Sequence, residues 1–283
     1  MTRHRNAWFT TQDDKKLYMH EWLPENDPQA VILYVHGLGS HGGRLGHWAE
    51  RFTEQGMAFL AYDQRGHGRS DGKRGRPVHI RKLINDLKAM VAHVRENFPD
   101  LPVVLYGHSM GGTIAINYVI STTTTVDALI VTAPWLKLVK PPSATLISLI
   151  RPLLKIVPGI TLSNGLDPAD ISTDPSEVQK YRDDPLVHDR ISIGLFHSTY
   201  EAGYTALRNV YKINCPFLIM HGTADRITSA KASEEYVMNT SDRTRLVLWK
   251  DAFHELHHEP VRGEVFGAVA DWLTENRFMQ QSN

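Results

Sequence analysis

With 283 residues, 42% of them hydrophobic, the chain is long enough to bury one large core with an insertion and too short for three domains. Its 31 basic and 31 acidic residues cancel to a formal net charge of zero and are interleaved, which excludes the basic footprint of a nucleic-acid partner. One cysteine, Cys215, excludes an internal disulfide or a thiolate metal cluster; ahead of Pro216 and an apolar run it reads as a small core residue.

The opening "MTRHRNAWFTTQDDKK" has neither an apolar signal region nor a small-residue cleavage site, and no apolar run reaches the ~20 residues of a membrane span. A cytoplasmic protein is expected. Next, "NAWFTTQDDKKLYMHEWLP" predicts a hairpin turning at Asp13 and Asp14, an antiparallel addition at a sheet edge. "AVILYVHG" predicts a buried strand, residues 44–55 a helix, and "MAFLAYD" a second buried strand. Ile80, Leu83, Ile84, Leu87, Val91, Val94 and Phe98 keep the three-and-four spacing of one helical face. "PVVLYG", a helix after Ser109 and "DALIVTAP" continue the alternation, as do "PFLIMHG", a helix over residues 230–238, "TRLVLWK" and a last helix over residues 260–278. Continuous apolar strands joined by crossover helices imply a mostly parallel sheet covered on both faces.

The alternation breaks in a proline-rich stretch that includes the acidic "SNGLDPADISTDPSEVQKYRDDP". Residues 137–190 are therefore expected to be an insertion between two parts of one core, residues 1–136 and 191–283. It opens with "SATLISLIRPLLKIVPG", apolar on most sides. Leu146, Ile147, Leu149, Ile150, Leu153 and Leu154 either line a tunnel for a substrate chain or pack against the core; exposed, the same patch could rest on a membrane surface.

"VVLYGHSMGGTIAI" brackets one serine with glycines between a strand and a helix. Gly107, Ser109 and Gly111 have the GxSxG spacing in the strand-to-helix context that makes it evidence for a nucleophile. The tight turn strains the serine backbone, and a side chain at either glycine is expected to collide with neighbouring strands. A serine hydroxyl needs a base and an orienting carboxylate. "LIMHGTADRI" places Asp225 just past a later strand, and "LVLWKDAFHELHHE" places His254 past the next, with His257 and His258 as neighbouring candidates for the base. Loops at the carboxyl ends of parallel strands converge in space, and Ser, Asp, His is the chain order of this architecture. The backbone N–H groups of Leu38, in "YVHGLG", and Met110 are the expected oxyanion donors.

Two other patterns compete. Gly37, Gly39 and Gly42 spell GxGxxG after a strand, with Asp63 about twenty residues on, as in a dinucleotide site. That reading leaves Ser109, Asp225 and His254 without a task, and Asp63 is expected instead to bond loop amides. His254, Glu255 and His258 spell HExxH, a zinc motif when helical, but the stretch follows a strand, ends against Pro260 and has no evident third ligand. No metal and no cofactor is expected.

"HGLGSHGGR", "YDQRGHGRSDG", "GHSMGG", "GTADRI" and "FHELHHEP" together resemble the monoacylglycerol lipase and lysophospholipase branch of the α/β-hydrolases, over nearly the whole chain. The resemblance implies an α/β-hydrolase fold with an eight-stranded, mostly parallel sheet and an inserted cap. It assigns Ser109 as nucleophile, Asp225 as orienter, His254 as base, and Leu38 and Met110 as oxyanion donors. It also sets Arg44, His108, Tyr181 and His257 around the alcohol end of the substrate and a bound water. One position departs: Ser40 stands where mammalian members have a carboxylate beside the glycerol site. The expected activity is carboxylic-ester hydrolysis through an acyl-enzyme, on a monoacylglycerol or lysophospholipid. A short-chain carboxylesterase or thioesterase of the same fold, and a non-catalytic binding module, are the alternatives.

Overall fold

Continuous apolar strands alternating with amphipathic segments fold into a three-layer sandwich. The computed structural model describes residues 2–77, 79–122, 126–240 and 243–280. In chain order its elements are β1 (Arg3–Thr10), β2 (Lys16–Leu23), β3 (Val31–Val35), α1 (Gly46–Glu54), β4 (Ala58–Tyr62), α2 (Ile80–Asn97), β5 (Val103–His108), α3 (Met110–Ser121) and β6 (Ala128–Thr132). They continue with α4 (Ala144–Ile156), β7 (Thr161–Ser163), α5 (Pro175–Asp183), β8 (Arg190–Ser192), α6 (Ile193–Arg208), β9 (Phe217–Gly222), α7 (Ala230–Val237), β10 (Thr244–Trp249) and α8 (Arg262–Glu275).

The main sheet has eight strands in the order β1-β2-β4-β3-β5-β6-β9-β10, parallel from β4 to β10. The hairpin is the antiparallel edge, its turn made at Asp14 with a φ of 57°. Period-two alternation sorts each central strand between two cores. Leu33, Leu105, Val131 and Ile219 face α2, α3, α6 and α7, packing on Leu87, Ile114, Ala202 and Tyr236. Tyr34, Tyr106, Ile130 and Leu218 face α1 and α8, against Trp48, Phe52, Val269 and Trp272. Strands buried on both faces need apolar residues at every position, which is why they read as unbroken runs. Cys215 is buried, and burial pushes its thiol up to about 11, as suits a packing residue.

Two boundaries shift. The helix expected from residue 44 begins at Gly46, because residues Gly42–Leu45 form a 3-10 turn capped by His41, whose Nδ1 accepts from the Gly43 N–H. The last helix begins at Arg262, two residues beyond Pro260, which is preceded by another 3-10 turn at Leu256–His258.

Between β6 and α6 the chain leaves the sheet. β7 and β8 pair antiparallel, Thr161 opposite Ser192 and Ser163 opposite Arg190, and so bring together two chain segments on either side of α5. Backbone bonds from His188 to Gly39 (3.0 Å) and from Ser192 to Gly75 (2.7 Å) tie the end of this segment to loops that follow β3 and β4. Of the alternatives left open for α4 the structure shows a mixture: no residue of this helix is fully buried. Ile147, Ile150 and Leu154 share a half-buried face, whereas Leu146, Leu149 and Leu153 form a second, exposed one with Ile156. A helix apolar all round has two faces to bury, and this one covers only one. Among the described residues no helix is long and apolar enough to cross a membrane.

Candidate active site

β5 enters the turn at Ser109 and leaves it as α3, and the serine takes φ 54° and ψ −121°, a positive φ rare for a residue with a side chain. The bracketing glycines are sterically required. A Cβ at Gly111 would lie 2.0 Å from the carbonyl oxygen of Val35 on β3, as expected of a clash with a strand. At Gly107 the obstacle differs from the expected neighbouring strand: a Cβ there would meet the opening of α3, 2.6 Å from the Gly111 oxygen and 2.7 Å from the Gly112 Cα. The backbone of the helix crosses the strand end too closely for any side chain.

Three loops at the carboxyl ends of β5, β9 and β10 converge. Ser109 Oγ lies 2.9 Å from His254 Nε2, and His254 Nδ1 lies 2.7 Å from Asp225 Oδ2; all three residues are buried. Of the three candidate histidines, His254 is the one that stands between Ser109 and Asp225. His257 instead lies 2.8 Å from the Tyr106 hydroxyl, and His258 sits 3.0 Å from Glu255.

Asp225 is held from several sides. Its Oδ1 accepts from the N–H groups of Ile227 (2.7 Å) and Thr228 (3.0 Å), and its Oδ2 from the Thr228 hydroxyl at 2.9 Å, with His221 Nε2 at 3.0 Å. Burial works to raise its pKa, but His254 and His221 outweigh that and hold the carboxyl far below its ordinary range. For His254, burial disfavours the charged imidazole, yet the Asp225 carboxylate more than compensates and the pKa rises above 6.5. Burial and then His254 push His108 down to about 3, so this neighbouring ring stays neutral. A hydroxyl, an imidazole and an ionised carboxylate in series can pass a proton from oxygen to nitrogen while the new charge is stabilised. Beside them, the amide of Met110 opens α3, where no intrahelical acceptor exists, and Leu38 lines the same cavity as Ser109.

That cavity has an apolar set of wall residues, Trp135, Leu138, Leu166, Ile171, Ile191, Phe196 and Ile227, and a polar set, Ser40, His108, Asn164, Tyr181 and Glu255. None of the six apolar α4 residues, for which a tunnel wall was one of the alternatives, lines it. Nor does His257, which stands behind His108 with ring centroids 5.4 Å apart. Arg44 is also behind the wall, under the Tyr181 ring at 4.7 Å and paired with Glu255 through bonds of 2.6 and 2.8 Å.

No motif marks His221 or Glu255 as part of this site. His221 carried a signal, its i,i+4 spacing to Asp225; the partner of Glu255 lies on a loop from the other half of the chain. The competing motifs dissolve. HExxH has only a three-residue 3-10 turn, Leu256–His258, and its Glu255 is committed to Arg44. In the GxGxxG loop the Gly42 N–H donates to Asp63 (2.8 Å), as does the Arg69 N–H (2.8 Å), so Asp63 bonds loop amides as expected.

Fold and site together define a serine hydrolase of the α/β-hydrolase class. Residues 26–261 match the model of a family described as serine aminopeptidase, S33. The chain is 32% identical over 260 residues to a monoacylglycerol lipase of Mycolicibacterium smegmatis, covering 90% of this chain and 91% of that protein. It is 35% identical over 269 residues to an uncharacterized abhydrolase domain-containing protein of Dictyostelium discoideum, of which it spans only 28%. Among solved structures, the monoacylglycerol lipase of Paleococcus ferrophilus superposes with a TM-score of 0.84 at 31% identity, over 92% of this chain and 99% of that one. The chain belongs to this family of hydrolases, and within it is a serine hydrolase of the monoacylglycerol lipase type.

Proposed function

We propose that the protein is a cytoplasmic monoacylglycerol or lysophospholipid lipase in which Ser109, His254 and Asp225 form the catalytic triad, with residues 137–190 as its cap. The observation that carries the reading is the unbroken series Ser109–His254–Asp225, 2.9 and 2.7 Å, opening on a largely apolar cavity. His254 takes the serine proton as Oγ attacks the ester carbonyl, and the Leu38 and Met110 amides hold the tetrahedral oxyanion. Collapse of that intermediate breaks the bond to the alcohol oxygen, which leaves with the proton from His254 and leaves an acyl-Ser109 ester. Water, deprotonated by the same imidazole, then attacks the acyl carbon; the serine recovers its proton and the fatty acid departs.

The apolar wall is suited to the acyl chain, where each buried CH₂ adds up to ~0.8 kcal/mol of binding. The exposed face of α4 is suited to contact with the lipid surface from which such a substrate comes. The test is a chain-length series of p-nitrophenyl esters beside monoacylglycerols, with Ser109→Ala as blank. Serine-dependent turnover that rises with chain length and includes monoacylglycerol is the expected result. Turnover of short esters alone would leave a carboxylesterase or thioesterase, and none at all a binding module.

A further inference from the structure

Asp63, just past the end of β4, is fully buried, and among the described residues no lysine or arginine forms an ion pair with it. A buried carboxylate without a cation is costly to keep ionised. Its oxygens accept from the Gly42 and Arg69 amides, each at 2.8 Å, and Oδ1 lies 3.4 Å from His20 Nε2 on β2. His20 is buried too, and this nitrogen makes no hydrogen bond to any described group. The rings of Trp22 and Tyr18, with centroids 5.5 and 5.1 Å away, hold the imidazole in place. A third buried side chain, His41, arrives on the loop after β3, and one donor atom from each of His20, His41 and Asp63 lies within 4.8 Å of the other two. His41 Nε2 is 2.8 Å from Asp184 Oδ2, which leaves Nδ1 with only a long bond from the Gly43 N–H, at 3.2 Å. Gly43 keeps the space between the two rings open: a Cβ there would lie 3.2 Å from both His20 Cε1 and His41 Nδ1.

We infer that His20, His41 and Asp63 form a binding site for a divalent transition-metal ion of the zinc type, which ties the edge hairpin, the loop after β3 and the end of β4 together. Two imidazole nitrogens and one carboxylate oxygen suit zinc, whereas calcium and magnesium take oxygen ligands. Around a tetrahedral ion with bonds of ~2.0–2.1 Å the ligand atoms stand ~3.3–3.4 Å apart, already the separation of His20 Nε2 and Asp63 Oδ1. A small rotation of His41 toward them completes the set, and water takes the fourth position. The bond from His41 Nε2–H to Asp184 is the outer contact that orients a ligating imidazole and leaves the Nδ1 lone pair for the ion. None of the three ligands lines the cavity of Ser109, so the ion is structural and takes no part in ester hydrolysis. Motifs such as HExxH look for ligands within one stretch; these three come from separate segments, and no motif announces them.

The test strips the full-length protein with a chelator, removes the chelator and titrates zinc chloride by calorimetry into wild type, His20→Gln, His41→Gln and, as a control in the HExxH stretch, His258→Gln. We expect one ion per chain with a Kd of ~10 μM or tighter in wild type and in His258→Gln, and binding at least about 100-fold weaker in the other two. The thermal midpoint of wild type should rise by about 5–10 °C at a free zinc concentration of about 100 times Kd. Wild-type binding weaker than ~10 μM, binding that survives both His20→Gln and His41→Gln, or binding lost in His258→Gln would overturn the inference. Should the variants fail to fold, zinc-soaked crystals of wild type still decide. An anomalous-scattering peak between His20, His41 and Asp63 is expected, and peaks only elsewhere, or none, would contradict it.

Discussion

Ser109 holds a positive φ of 54° that costs on the order of 1–3 kcal/mol, a strain worth holding only where it presents the hydroxyl to a base. The base must be neutral to accept the proton, and Asp225 raises its pKa; activity is therefore present above that raised pKa and lost as pH falls through it. Below saturation, the acid limb of kcat/KM should have its midpoint above 6.5, and a midpoint below 6.5 would contradict the Asp225–His254 coupling. Asp225→Asn should lose roughly 10⁴-fold in turnover, because the amide no longer stabilises the imidazolium and leaves the ring free to take the wrong tautomer. Ser109, Asp225 and His254 could be found in sequence because each follows a strand end with a motif of its own. The Arg44–Glu255 pair could not: its members are 211 positions apart, and only the folded sheet brings their loops together.

At the scale of elements, the β5–α3 junction depends on backbones packed without side chains between them. Gly111→Ala would drive a Cβ to 2.0 Å from the Val35 oxygen, and neither backbone has room to yield. We expect about 1–3 kcal/mol of destabilisation or more, read as a lower urea midpoint; unchanged stability would show that the turn can relax. The strands and α2 were legible because one period, two or 3.6, dominates each. α4 was not: apolar residues on two faces leave periodicity unable to say which one turns inward, and it is the half-buried face of Ile147, Ile150 and Leu154. HExxH misleads for the opposite reason, since a pattern of residue types carries no information on whether a helix forms beneath it.

For the whole molecule, the parallel sheet sets strand ends side by side and lets three distant loops share one cavity, with α4 presenting Leu146, Leu149, Leu153 and Ile156 outward. Replacing Leu146, Leu149 and Leu153 together with serine should lower the rate on monoacylglycerol in lipid vesicles at least about fivefold, with little change on a dissolved short ester. Equal effects on both substrates would mean that the face supports folding of the protein rather than contact with lipid. The layered fold could be read from the alternation of elements, whereas the cavity wall could not, because Trp135, Ile171, Phe196 and Ile227 reach it from four separate segments. The central claim is that one serine carries the chemistry, and covalent labelling tests it most directly. The Ser109 oxygen should attack the phosphorus of an alkyl phosphonofluoridate and expel fluoride to solvent, giving one adduct per chain that peptide mass spectrometry maps to Ser109, with none in Ser109→Ala. An adduct on another residue, or ester hydrolysis that persists in Ser109→Ala, would contradict the account.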